Sequence, residues 1–177
     1  MIKSLAQLKR DAKSGKIWMK CVEYYGDPNK VPEKMRMPRR LVDANSVDIF
    51  FLSPDGDRSA CSIRRAALVE YTDKGLTVFN YGERDLTPEE QKVMDEWNAI
   101  ESSAEFKEQA RIDALSDGSS TYWQKKWFFH DKKMPWLTGW GDLMEYGKSY
   151  HYATGKVRDL NVRGEPILKY IITEAVA

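Results

Sequence analysis

The side chains of this chain that could do bond-making chemistry are scattered rather than clustered. Its two cysteines, Cys21 and Cys61, stand forty residues apart, and its two histidines, His130 and His151, have no spacing that puts both on one helix face. Zinc takes three or four ligands from Cys, His and carboxylates, and no run here supplies them at close spacing. Nor does any spacing pair a cysteine with a histidine as nucleophile and base. Thr154-Gly155-Lys156 resembles the end of a phosphate-cradling loop. Yet Tyr150 stands where a glycine must expose backbone N–H groups, and Val157 where a magnesium-binding hydroxyl belongs. One constellation suits a magnesium-dependent nuclease: Asp55, with Glu105 and Lys107 spaced to hold the metal and orient water. That chemistry needs the Glu and Lys on a strand, and Glu105 begins a predicted helix. The reading is therefore a protein that is not an enzyme and needs no cofactor or metal, with a magnesium nuclease as a lesser alternative.

Two groupings suit binding instead. Lys30, Lys34, Arg36, Arg39 and Arg40 lie on a loop stiffened by Pro28, Pro32 and Pro38, with Glu33 the acid among them and Arg64 and Arg65 a hairpin away. Lys34, Arg36, Arg39, Arg40, Arg64 and Arg65 are the candidate nucleic-acid contacts, since cations in such a loop release counterions from phosphates. The loop holds no aromatic to stack on bases. The second grouping is aromatic: ten of the chain's 21 aromatic residues fall between Tyr122 and Tyr152. Trp123 and Trp127 are four apart on a predicted helix, and Phe128 and Phe129 widen its apolar arc beyond a stripe. Such a helix packs on two sides or leaves tryptophan exposed. Trp123, Trp127, Trp136 and Trp140 are the candidate protein-binding anchors, and Lys125, Lys126, Lys132 and Lys133 lie among them.

The elements that must position these groups follow from period and punctuation. Leu5, Leu8 and Ala12 predict a short amphipathic helix stopped by Ser14-Gly15. From Lys16 the period becomes two, with Ile17, Met19 and Cys21 on one strand face. Short strands follow around Leu41-Val42, Val47 to Leu52, Ser59 to Ile63, Ala67 to Tyr71 and Leu76 to Tyr81. Turns are read at Ser53-Pro54-Asp55-Gly56 and Thr72-Asp73-Lys74-Gly75. Residues 16–85 thus read as a small antiparallel sheet or partly open barrel. Thr87-Pro88-Glu89-Glu90 is a capping box, and Ser102-Ser103-Ala104-Glu105 reads as a second. A third helix starts at Thr121. Strands follow around Tyr150 to Tyr152, and around a turn at Arg163-Gly164. The fold class is α+β: a β-rich region 1–86 with the basic loop, then a helical, aromatic-rich region 87–177 ending in a β-hairpin, the two able to form one compact unit.

Composition sets the limits. In 177 residues, 28 basic and 27 acidic side chains give a net charge of +1, which argues for no polyanionic partner of the whole chain. The charge is segregated, with residues 1–86 at net +4, 87–118 at −6 and 119–177 at +3. No apolar run approaches the roughly 20 residues needed to span a bilayer, and no secretory signal is visible. The expectation is a cytoplasmic protein with both cysteines reduced.

Arg40-Leu-Val, Ser119-Ser-Thr-Tyr-Trp-Gln-Lys-Lys, Thr154-Gly-Lys-Val-Arg-Asp, Val162-Arg-Gly-Glu and Lys169-Tyr together resemble small proteins of bacteriophages and prophages of Gram-positive bacteria. That resemblance covers most of the chain and carries no catalytic residues with it. It implies a phage accessory protein in the host cytoplasm that binds and inhibits a host defence or nucleic-acid-processing complex, as anti-CRISPR proteins do. Direct DNA or RNA binding through the basic loop is the alternative, and a structural component of the virion a further one.

Overall fold

Ser4 starts the first helix because its hydroxyl accepts the Gln7 N–H (3.1 Å), and Gly15 ends it in the left-handed conformation at φ 67°. The computed structural model describes residues 1–63, 67–140 and 143–175, which form two compact units: Met1–Gly82 with Leu160–Ala177, and Glu83–Asp159.

The first unit is built from that helix, α1 (Leu5–Ser14), and from β1 (Trp18–Tyr24), β2 (Arg39–Ala44), β3 (Asp48–Leu52), β4 (Arg58–Ser62), β5 (Ala67–Thr72), most of β6 (Gly75–Arg84) and the distal part of β8 (Lys156–Thr173). With β7 (Lys148–His151) they form an open eight-stranded antiparallel sheet, in the order β4-β3-β2-β1-β8-β6-β5, with β7 pairing β8. Alternation works as the period predicts: Met19 and Cys21 of β1, Leu41 of β2, and Ile49 and Phe51 of β3 all point into one core with Leu8 and Ala12 of α1. The loop between β1 and β2 is more ordered than its prolines suggest, holding a 3₁₀ turn at Pro28–Lys30 and a helical turn, α2 (Glu33–Arg36).

β8 carries the main departure from the sequence reading. Arg163-Gly164 is no turn, because the strand runs unbroken for 18 residues. Glycine stands there for proximity: a Cβ on Gly164 would lie 2.3 Å from the Tyr81 carbonyl oxygen. The last stretch, read from sequence with the helical region, instead pairs with β1, Cys21 opposite Tyr170. The C-terminal hairpin is β7 with the start of β8, Tyr150 opposite Val157.

In the second unit Thr87 and Glu90 form the capping box of α3 (Pro88–Glu101). The next helix, α4 (Ala104–Ser116), is capped by Ser103 alone. This shifts the frame by one from the expected box, so Glu105 has no partner role there. α5 (Ser120–Asp131), a 3₁₀ turn (Pro135–Thr138) and α6 (Leu143–Tyr146) follow, and β7 with the start of β8 also belongs to this unit. Val93, Met94 and Trp97 of α3 pack on Phe129, Leu137 and Val157. Among the described residues no helix is long and apolar enough to cross a membrane.

Candidate interaction surface

α5 starts where it does because of a side chain from the preceding helix. Asp113 accepts the Thr121 N–H at 2.8 Å and the Thr121 hydroxyl at 2.9 Å through Oδ2, doing what no side chain of Ser119 does. Those hydrogen bonds, the backbone one first, hold the Asp113 carboxyl below its ordinary range.

From this start the helix sends its aromatics in two directions. Phe129 is fully buried, and Phe128 lies against Trp97 with ring centres 5.4 Å apart. On the other side Trp123 and Trp127 are 45% and 53% exposed and stack on each other at 6.3 Å, while Tyr122 stacks on the half-exposed Trp140 at 4.7 Å. A surplus of apolar rings is thus presented to solvent by a helix whose core side is already filled.

Lysines complete the surface. Lys126 lies 5.0 Å over the Trp123 ring. The Lys125 ammonium is held between Trp140, at 4.8 Å, and Tyr152, at 4.4 Å, and donates to the Tyr152 hydroxyl. Burial among these rings lowers the Lys125 pKa. Tyr152 in turn donates to the Thr138 carbonyl at 3.0 Å. Gly139, at φ 80°, makes room for its ring, which a Cβ there would meet at 2.1 Å.

Of the four tryptophans expected as anchors, Trp123, Trp127 and Trp140 share this surface and Trp136 does not. Its indole Nε1 donates to Glu90 at 2.6 Å and its ring lies under Lys148, so it is occupied inside the unit. The cage around Lys125 was not legible in the sequence; the one local signal of it is Gly139, at a position needing positive φ.

The basic loop is dispersed. Lys34 and Arg36 are exposed on α2, with the Arg36 Nε donating to the Val31 carbonyl at 2.9 Å. Arg40 is half-buried on β2. Arg39, expected as a phosphate contact, is buried: its guanidinium lies over Phe51 at 4.8 Å, because alternation along β2 turns residue 39 to the core face with Leu41. Arg64 and Arg65 lie outside the described residues.

Residues with catalytic types are engaged elsewhere. Asp55 sits in the β3–β4 turn and accepts from the Ser53 hydroxyl, whereas Glu105 and Lys107 lie on a helix of the other unit. His151 Nδ1 faces Glu83 at 3.1 Å, with the Thr154 hydroxyl at 3.4 Å, and its Nε2 faces the Arg158 guanidinium at 3.0 Å. Among the described residues no three His, Cys, Asp or Glu side chains group to hold a metal.

No protein-family model, curated protein or solved structure matches this chain.

Proposed function

We propose that this chain is a binding protein that occupies the surface of a protein partner through the exposed aromatic face that α5 forms with Trp140. Trp123, Trp127 and Trp140 are its anchors, and the lysines beside them form a basic rim facing an acidic surround on the partner. The observation that carries the reading is that these three indoles stay about half exposed although the unit has filled its core without them. The resemblance to phage and prophage proteins directs the choice of partner. It would be a host defence or nucleic-acid-processing complex, acted on in the host cytoplasm by obstruction, in the manner of an anti-CRISPR inhibitor.

The test is capture from a Gram-positive host lysate with the parent chain and with a Trp123→Ala/Trp127→Ala variant, after nuclease treatment. A specific protein held by the parent and lost by the variant, with circular dichroism unchanged, is the expected result. Equal recovery by both chains sinks the assignment.

Lysines set directly over stacked rings also favour a second reading, a platform for single-stranded DNA or RNA. It requires affinity for a bare oligonucleotide that falls steeply between about 50 and 200 mM salt. In the basic-loop version Arg39 is buried, which leaves Lys34, Arg36 and Arg40 as its candidate contacts among the described residues. A virion component would form stable homo-oligomers, which light scattering detects.

A further inference from the structure

Arg39 is 7% exposed, and a buried guanidinium ordinarily has a carboxylate beside it. This one does not. Among the described residues it forms no ion pair: one terminal nitrogen donates to the Ser59 hydroxyl, and Nε has no partner. Its flat face rests on Phe51. The neighbouring thiols cannot neutralise it, since burial raises both, Cys61 to about 11, and leaves them protonated at neutral pH. A desolvated cation with a single neutral acceptor is costly unless an anion reaches it.

A route to it exists in the same unit. Arg39 and Ser59 line a groove of about 680 Å³ between α2 and the β3–β4 turn, with Lys34 and Arg58 at its rim, Arg58 resting over Phe50 at 4.6 Å and pairing with Asp43 at 3.8 Å. The rim also carries Glu33, Asp55 and Asp57. Asp55 is turned to Ser53 and to the Asp57 N–H. Acids at the mouth over a cation at the floor select against extended polyanions. They suit a compact oxyanion whose remaining bulk is neutral or basic.

We propose that this groove is a binding site for a small oxyanion, a carboxylate or a phosphate group, with Arg39 and Ser59 at the floor and Lys34 and Arg58 as the electrostatic rim. The site belongs to the first unit and α5 to the second, and the inference does not depend on the reading of α5.

The experiment is a titration of the full chain with sodium acetate and, separately, sodium phosphate, against sodium chloride at matched ionic strength, following the Arg39 Nε–H signal by nuclear magnetic resonance. One or both oxyanions should shift it saturably, with a dissociation constant on the order of millimolar, and chloride should not. The two arms tell carboxylate from phosphate. Arg39→Met should keep the fold, with a thermal midpoint no lower than the parent's, and abolish the anion-induced shifts at the Ser59 amide. The Lys34→Ala/Arg58→Ala variant, altered only at exposed positions, should weaken binding about tenfold and guards against a failure of Arg39→Met to fold. No saturable response to either oxyanion, or a response unchanged in the rim variant, overturns the proposal.

Discussion

Glu90 shows how much one side chain can organise. It is 2% exposed, accepts from Arg84 at 2.6 Å, from the Thr87 N–H at 2.9 Å and from the Trp136 indole at 2.6 Å, while Arg84 also reaches Asp159 at 2.9 Å. Burial alone would raise its carboxyl, but these donors outweigh burial and hold it at about 2, against an ordinary 4.5. A carboxyl depressed on folding stabilises fully above its unfolded value and less as pH falls through the folded one. The window is therefore pH 4.5 down to 2, and the gap corresponds to about 3 kcal/mol. Glu90→Gln should lower stability at pH 7 by about that amount and flatten the acid dependence, read from urea midpoints at pH 7 and pH 3. An unchanged acid limb would assign it to other carboxylates. The tryptophans give a second contrast at this scale. Trp97→Ala, at 1% exposure, should cost about 3–5 kcal/mol, and Trp127→Ala no more than about 0.5 kcal/mol, both measured by denaturant unfolding. A large loss at Trp127 would mean that its ring is structural.

At the scale of elements, α5 depends on groups outside itself. Asp113→Ala removes acceptors from Thr121 and should cost about 1 kcal/mol, with faster amide exchange at Thr121 as the local readout. Gly139→Ala combines a positive φ with a collision against Tyr152. It should displace that ring, release Lys125 and let the Lys125 pKa return toward its ordinary value, followed by nitrogen-15 detection of the side-chain amine. The helix start at Thr87 is readable along the chain because a cap is a contact over three residues, whereas the cap of α4 falls at Ser103, one residue past the start of the expected box. Gly164 is not readable in that way. A glycine admitting a neighbouring strand and a glycine making a turn look alike until the neighbour, here Tyr81, is known. Position 39 was misassigned for a related reason: its loop setting suggested solvent, whereas membership of β2 and its alternation sent it to the core.

For the whole molecule, the consequence is that a unit near the N-terminus is completed by the C-terminal strand. Ending the chain after Asp159 would remove the strand that lies between β1 and β6, with Tyr170 and Leu168 of the core. Such a truncation should abolish the cooperative unfolding transition of the first unit and disperse its amide spectrum no further than an unfolded chain's. A retained sheet spectrum would contradict the order β1-β8-β6.

What the residues determined unaided is what short-range physics controls: the α+β class, the switch from period two to period 3.6 at Thr87 with its capping box, most turns, and an aromatic excess in the region of α5. Only folding in three dimensions decided which tryptophans face solvent, that Trp136 is held by Glu90, and that Arg39, which forms no ion pair among the described residues, lies at the floor of a groove. Caps and periods depend on neighbours within one turn or one pleat. Exposure and charge pairing depend on partners far along the chain, 75 residues away for Arg84 and Asp159 and 93 for Arg163 and Glu70, and spacing along the chain does not encode those meetings.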